Sequence, residues 1–257
     1  MGDEEQGSGP RVRDFEGRVA VVIGGASGIG KATARLFAAR GARVSLSDLD
    51  ADRGRAVAEE LAAGGAEAIF TLADIRAPGD LAELAHRTVE TFGRMDAVFV
   101  SAGRAESDLG AMLELYLQGP ANCVEAMVPH LRHSDAPTLT FTGSMSGLRA
   151  HPGAPWYATA KSGLVGMTRT LALDLAAQGI RVNSVCPSGV DTAMLRATMR
   201  GPADEIEKRL EAETERKPLR RWVTPEDVAE AAVFLASRHA AMITGVSLPV
   251  DGGERLK

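Results

Sequence analysis

Cysteine is scarce in this chain. Cys123 and Cys186 are the only two in 257 residues, and their separation fits neither a metal-ligand spacing nor a disulfide framework. No metal site is expected, and two buried thiols point to a reducing compartment. Excess positive charge is missing as well. A formal net charge of -5 gives no general attraction for nucleic acid, which needs a basic face, so a small-molecule partner is expected instead. No apolar run reaches the ~18 residues of a membrane span. The opening MGDEEQGSGP lacks the basic and apolar blocks of a secretory leader. The expectation is a cytoplasmic protein with neither membrane nor nucleic-acid partners.

What the chain does have is an ordinary globular composition, 45% hydrophobic and 25% charged, in a length that suits one large α/β domain. Residues 1–16 are rich in glycine and charge and read as a mobile tail, so the domain is expected over 17–257. From Gly17 onward, short β-rich apolar runs alternate with amphipathic stretches. Strands are expected at Val19 to Ile23, Arg43 to Ser47, Glu67 to Leu72, Ala97 to Val100, Thr138 to Thr142, Arg181 to Val185 and Val246 to Val250. Helical patterns separate them, the rhythm of a parallel sheet covered on both faces. Thr224-Pro225-Glu226-Asp227 has the N-cap, proline and acids that begin a helix. The charged stretch 193–217 interrupts the rhythm and reads either as a helical insertion over a substrate cleft or as a solvated surface helix pair.

The first strand runs into Gly24-Gly25-Ala26-Ser27-Gly28-Ile29-Gly30 and then into a helix. A glycine cluster alone is equally a tight turn, but a strand, turn and helix N-terminus together place free N–H groups where a pyrophosphate can sit. Gly24 permits the turn, Gly28 the approach of phosphate, and Gly30 the packing of helix on strand. Asp48 ends the next strand 18 residues after Gly30, where a carboxylate accepts from ribose hydroxyls and repels a 2′-phosphate. No cation stands before Gly28, where Ser27 is. NAD is therefore expected over NADP, although Asp48 also reads as a plain turn acid.

Tyr157 and Lys161 are four residues apart, on one helix face. A nearby ammonium favours the phenolate and tunes the tyrosine for proton transfer. Such a pair is common on helix surfaces, but Ser144 lies 13 residues upstream, just past a strand, where its hydroxyl reaches a substrate oxygen. At this point the sequence resembles the classical short-chain dehydrogenase/reductases, from about Gly17 to Gly253. The resemblance rests on GGASGIG at 24–30, Asp74-Ile75, Ser101-Ala102-Gly103, Ser144, Tyr157 with Lys161, IRVNSVCPSGVDT at 180–192 and TGVSLPVDGG at 244–253. It implies a Rossmann-type, doubly wound, seven-stranded parallel sheet, and a homotetramer or homodimer. By position it implies that Gly24, Ser27, Gly28, Ile29 and Gly30 hold the pyrophosphate. Asp74 and Ile75 would flank the adenine, and Ser101, Ala102 and Gly103 would line the nicotinamide ribose. Lys161 would bind ribose hydroxyls, and Val190 and Thr192, after Pro187 and Gly189, would meet the carboxamide.

Two departures stand out. Val100 and Ser101 replace the family's paired asparagines, and Tyr116 stands where the family has an asparagine that slightly opens a helix and holds a proton-relay water. The connection from Gly103 to Tyr116 is also about a dozen residues shorter than the resemblance implies. The expected activity is NAD-dependent hydride transfer between nicotinamide and a secondary alcohol or ketone of a small to medium, partly apolar metabolic or natural-product substrate. The alternative is an NAD-binding scaffold or sensor with weak turnover. Met145, His151, Trp156 and Met194 are candidate pocket residues, His151 reading more readily as an ordinary loop histidine than as a catalytic one.

Overall fold

Val19–Ile23 has no polar side chain and is buried throughout, as a strand covered on both faces must be. It is β1, in the middle of a seven-stranded sheet of order β3-β2-β1-β4-β5-β6-β7. Every neighbouring pair is parallel. The other strands are β2 (Arg43–Asp48), β3 (Ala68–Leu72), β4 (Ala97–Val100), β5 (Thr138–Thr142), β6 (Arg181–Pro187) and β7 (Ser247–Val250). The computed structural model describes residues 13–192, 195–196 and 201–256. Within them the helices are α1 (Gly28–Ala39), α2 (Ala51–Ala63), α3 (Pro78–Phe92), α4 (Leu109–Leu113), α5 (Gly119–Leu131), α6 (Pro155–Asp174), α7 (Ala203–Arg216) and α8 (Pro225–Ala236).

The period-2 alternation of strand side chains builds two cores. Val21 and Ile23 join Val98, Val100, Leu139 and Phe141 under α3, α5 and α6. Ala20 and Val22 join Val44, Leu46 and Phe99 under α1, α2 and α8. The domain starts earlier than the glycine-rich opening suggests. Phe15, expected in the tail, is 0% exposed; its N–H donates to Arg40 O at 3.1 Å, and its ring meets Phe37 edge-on. One aromatic anchor outweighs the polar composition around it. Residues 1–12 of the expected tail lie outside the described residues.

At α8, the Thr224 hydroxyl accepts from Asp227 N–H, and the Asp227 carboxylate accepts from Thr224 N–H. This reciprocal cap is the start that the Thr-Pro-Glu-Asp run predicts. The chain leaves β1 towards β2 on one side and returns at β4 on the other, so the strand order reverses at β1. In such sheets a crevice opens at the carboxyl ends of the strands flanking that point. Here those ends are Gly24 and Ser101 to Gly103.

Candidate active site

The glycine loop is shaped by close approach. Gly24 has a φ of +84°, and a Cβ there would stand 2.5 Å from Ala102 N; a Cβ on Gly30 would stand 1.9 Å from Gly24 O. Neither tolerates a side chain. The Gly24 and Gly25 N–H groups donate to Ser47 O at 2.8 and 2.9 Å, which fastens the loop to β2. The first turn of α1 carries no acid, and Ser27 makes no side-chain cap, leaving the helix N-terminus open for an anion. Thr192 Cγ2 would lie 3.5 Å from a Cβ on Gly28, so the segment after β6 approaches the glycine loop. Ser188 Oγ, just past β6, is buried without a hydrogen-bond partner. An open helix end, a cradle that side chains would fill and an unpaired hydroxyl suit a nicotinamide dinucleotide.

The Asp48 carboxylate sits beside the loop, accepting from Ala26 N–H at 3.0 Å and from Asp50 N–H at 3.1 Å. Asp74 is less free than the sequence suggests. Arg76 grips both its oxygens, at 3.0 Å from Nε and 2.6 Å from Nη2, and holds the carboxyl below the usual range. Ile75 is 3% exposed and its side chain packs on Gly119. Ser101 continues the sheet by donating to Ile23 O.

Tyr157 lies in the first turn of α6 with Lys161 one turn on, because Pro155 starts the helix just before them. Burial pushes the Tyr157 phenol up, and the neighbouring Ser144 hydroxyl pulls it partly back. Ser144 Oγ accepts from Ser146 N–H at 3.1 Å, which leaves its proton available to a substrate oxygen or to Tyr157. Lys161 is buried, donates to Thr142 O at 2.8 Å and is lowered to about 8 by burial. The three expected catalytic side chains are therefore brought together.

Tyr116 stands where the sequence places it, and the helix is wide there. Glu114–Gln118 forms a π turn, with Gly119 N–H reaching back to Glu114 O. The Tyr116 ring lies 4.5 Å from Lys161 Nζ and edge-on to Tyr157, with centroids 5.4 Å apart. These are the only two tyrosines in the chain. The short connection does not pull the ring aside. It holds it: Tyr116 donates to Arg104 O at 2.5 Å and accepts from Arg104 N–H at 3.2 Å.

Of the candidate pocket residues, Met145 is buried beside Ser144, Trp156 is 47% exposed at the start of α6, and Met194 lies outside the described residues. His151 Nδ1 meets Ser146 Oγ at 2.7 Å, a loop tether that suits its plainer reading. Of the expected 193–217 insertion, α7 is helical and is followed by Lys217, which is 0% exposed and 3.6 Å from Glu254. Glu254 also pairs with Arg149, so the C-terminal segment joins α7 to the loop after Ser144. Trp222 packs its ring against Gly189 and donates to Leu210 O. Arg104, Trp222 and Glu254 carried no sequence signal, since each acts through distant partners. Among the described residues no cluster of three or more His, Cys, Asp or Glu is placed to hold a metal, and no helix is long and apolar enough to cross a membrane.

A family model described as enoyl-(acyl carrier protein) reductase matches residues 24–254. The cis-4-hydroxycyclohexanecarboxylate dehydrogenase of Sinomonas cyclohexanicum is 37% identical over 249 residues, covering 93% of this chain and 97% of the relative. The chain belongs to the classical short-chain dehydrogenase/reductase family. The mitochondrial (−)-isopiperitenol/(−)-carveol dehydrogenase of Mentha piperita is 36% identical over 255 residues, covering 94% and 95%. Among solved structures, levodione reductase superposes with a TM-score of 0.86 at 28% identity, covering 94% of this chain and 99% of that one. This short-chain dehydrogenase is thus an oxidoreductase of alcohol or ketone groups that works with a nicotinamide cofactor.

Proposed function

We propose that this dehydrogenase transfers hydride between NAD(H) and a secondary alcohol or ketone on a small, partly apolar, cyclic substrate. The observation that carries the reading is the meeting of Tyr157, Lys161 and Ser144 beside an open glycine loop. Bound nicotinamide supplies the hydride acceptor or donor. In alcohol oxidation, Tyr157 takes the hydroxyl proton as general base, and in ketone reduction it returns it. Ser144 donates to the reacting oxygen and holds it at hydrogen-bond distance. The Lys161 ammonium opposes the burial that would otherwise keep Tyr157 protonated. Three of the matched proteins are named for cyclic compounds, which supports the substrate class.

The NAD preference rests on Asp48. Its carboxylate abuts the loop, and among the described residues it forms no ion pair with a cation that a 2′-phosphate would need. Turnover is favoured over the sensor reading because Tyr116 leaves the spacing of Tyr157, Lys161 and Ser144 intact. Family resemblance alone supports a cytoplasmic homotetramer or homodimer. Dissociation constants for NADH and NADPH test the cofactor reading. NADH binds more tightly, and Asp48→Ala narrows the gap chiefly by relieving the repulsion of NADPH; equal affinities in the unaltered protein would refute it.

A further inference from the structure

Lys161 carries an ammonium into the protein interior. Its side chain is 4% exposed, only one of its three donors has a protein acceptor, Thr142 O, and no carboxylate acts on it among the described residues. A desolvated ammonium without compensation gives up its proton. Its compensation here is aromatic. The Tyr116 centroid is 4.5 Å away and the Tyr157 centroid 5.8 Å, and a ring face attracts a cation most where water is excluded. Tyr116 is itself fixed, by two hydrogen bonds to the Arg104 backbone and by contact with Gly103, where a Cβ would stand 3.1 Å from its Cε1.

We propose that Tyr116 is a positioning residue for Lys161: its ring face holds the ammonium in place and charged, and its hydroxyl couples that hold to the Gly103-Arg104 backbone at the crevice. The proposal rests on the reading of Tyr157 and Lys161 as the acid–base pair. Of the other groups facing Lys161, Cys186 on β6 is pushed up by burial and adds to the hold on the ammonium only where it loses its proton; Ser144 is a neutral hydroxyl, and Tyr157 shares α6. The charged neighbours of Tyr116 are Arg104 and Glu106, paired with each other at 2.5 Å. Burial pushes the Tyr116 phenol up, so it remains neutral while Tyr157 exchanges its proton.

The chain has five lysines, few enough for a side-chain 15Nζ NMR titration of the cofactor-free protein, with Lys161→Met giving the assignment. With burial lowering its pKa to about 8, Lys161 should titrate near neutral pH in the unaltered protein. Tyr116→Phe keeps the ring and leaves that midpoint in place, while Tyr116→Leu removes the ring face and lowers it by about one unit. The alkaline limb of kcat for alcohol oxidation follows, moving to lower pH in Tyr116→Leu and staying in Tyr116→Phe. Tyr116→Phe instead raises the cofactor KM, because the Arg104 tether is lost. An unchanged midpoint in Tyr116→Leu, or equal shifts in both variants, would overturn the proposal. If Tyr116→Leu does not fold, Tyr116→Trp and Tyr116→Met carry the same test, with the midpoint higher in Trp. A midpoint that follows the ring while the rate profile does not would contradict the acid–base reading and leave the positioning role standing.

Discussion

For each polar side chain in the crevice, the decisive question is which donors and acceptors the fold has already used. Ser146 N–H takes one acceptor site of Ser144 Oγ and leaves the hydroxyl proton free to donate to substrate. Ser144→Ala should therefore lower kcat by ~10² to 10³, the usual loss for one donor aimed at developing charge, with the NADH dissociation constant unchanged. Stopped-flow turnover beside cofactor titration separates the two, and parallel losses in both would argue against this role. The residues legible in the sequence are those placed by local geometry. Tyr157 and Lys161 follow from the rise of one helix, and Ser144 and Asp48 from the ends of strands. Trp222 and Glu254 were illegible because their contacts, with Gly189 and Arg149, join segments far apart in the chain. Arg76 was overlooked although it is only two residues from Asp74, since nothing in sequence says which cation a carboxylate will choose.

Among the elements, strands were the easier to read: β1, β4 and β5 match the apolar runs residue for residue, because burial on both faces leaves no ambiguity of register. Helix starts were harder. α1 begins at Gly28 and α6 at Pro155, each ahead of the first amphipathic residue, since glycine and proline carry no hydrophobic signal. The π turn at Glu114–Gln118 has no signal in the sequence, where Tyr116 stands in place of the family's helix-opening asparagine. It brings the Tyr116 ring against Lys161, and a phenol there cannot hold the relay water that the family resemblance implies as an amide would. The proton must then leave more directly through the crevice. Oxidation of an alcohol should show a sizeable solvent isotope effect on kcat and a small one for deuterated substrate. The reverse pattern would mean that proton release does not limit the rate and that Tyr116 leaves the relay intact.

For the molecule as a whole, the sheet depends on a buried carboxylate. Asp96 is 0% exposed and accepts from Val19 N–H at 2.8 Å, from Arg94 at 2.6 and 2.8 Å and from Ser134 Oγ at 2.5 Å, joining the starts of β1 and β4. Burial would raise its pKa, but these donors together hold it below the ordinary value. A carboxyl lowered in the folded state stabilises it above the unfolded value near 4, and that stability is lost as pH falls through the folded one. Resistance to urea should thus weaken on acidification below about pH 4, and Asp96→Ala should cost ~3 kcal/mol at neutral pH by leaving its donors unpaired. The variant should also flatten the acid dependence; an unchanged acid limb would remove Asp96 from the account.

On the proposed mechanism, Tyr157 exchanges the proton while hydride passes to or from nicotinamide. Nicotinamide absorbance followed with NAD and a panel of cyclic secondary alcohols, for the unaltered protein and for Tyr157→Phe, alongside NADH binding to each, tests this. Turnover should fall by ~10² or more in the variant with NADH affinity retained. Near-normal turnover in Tyr157→Phe, or tight NADH binding with no turnover of any alcohol or ketone by the unaltered protein, would contradict that mechanism.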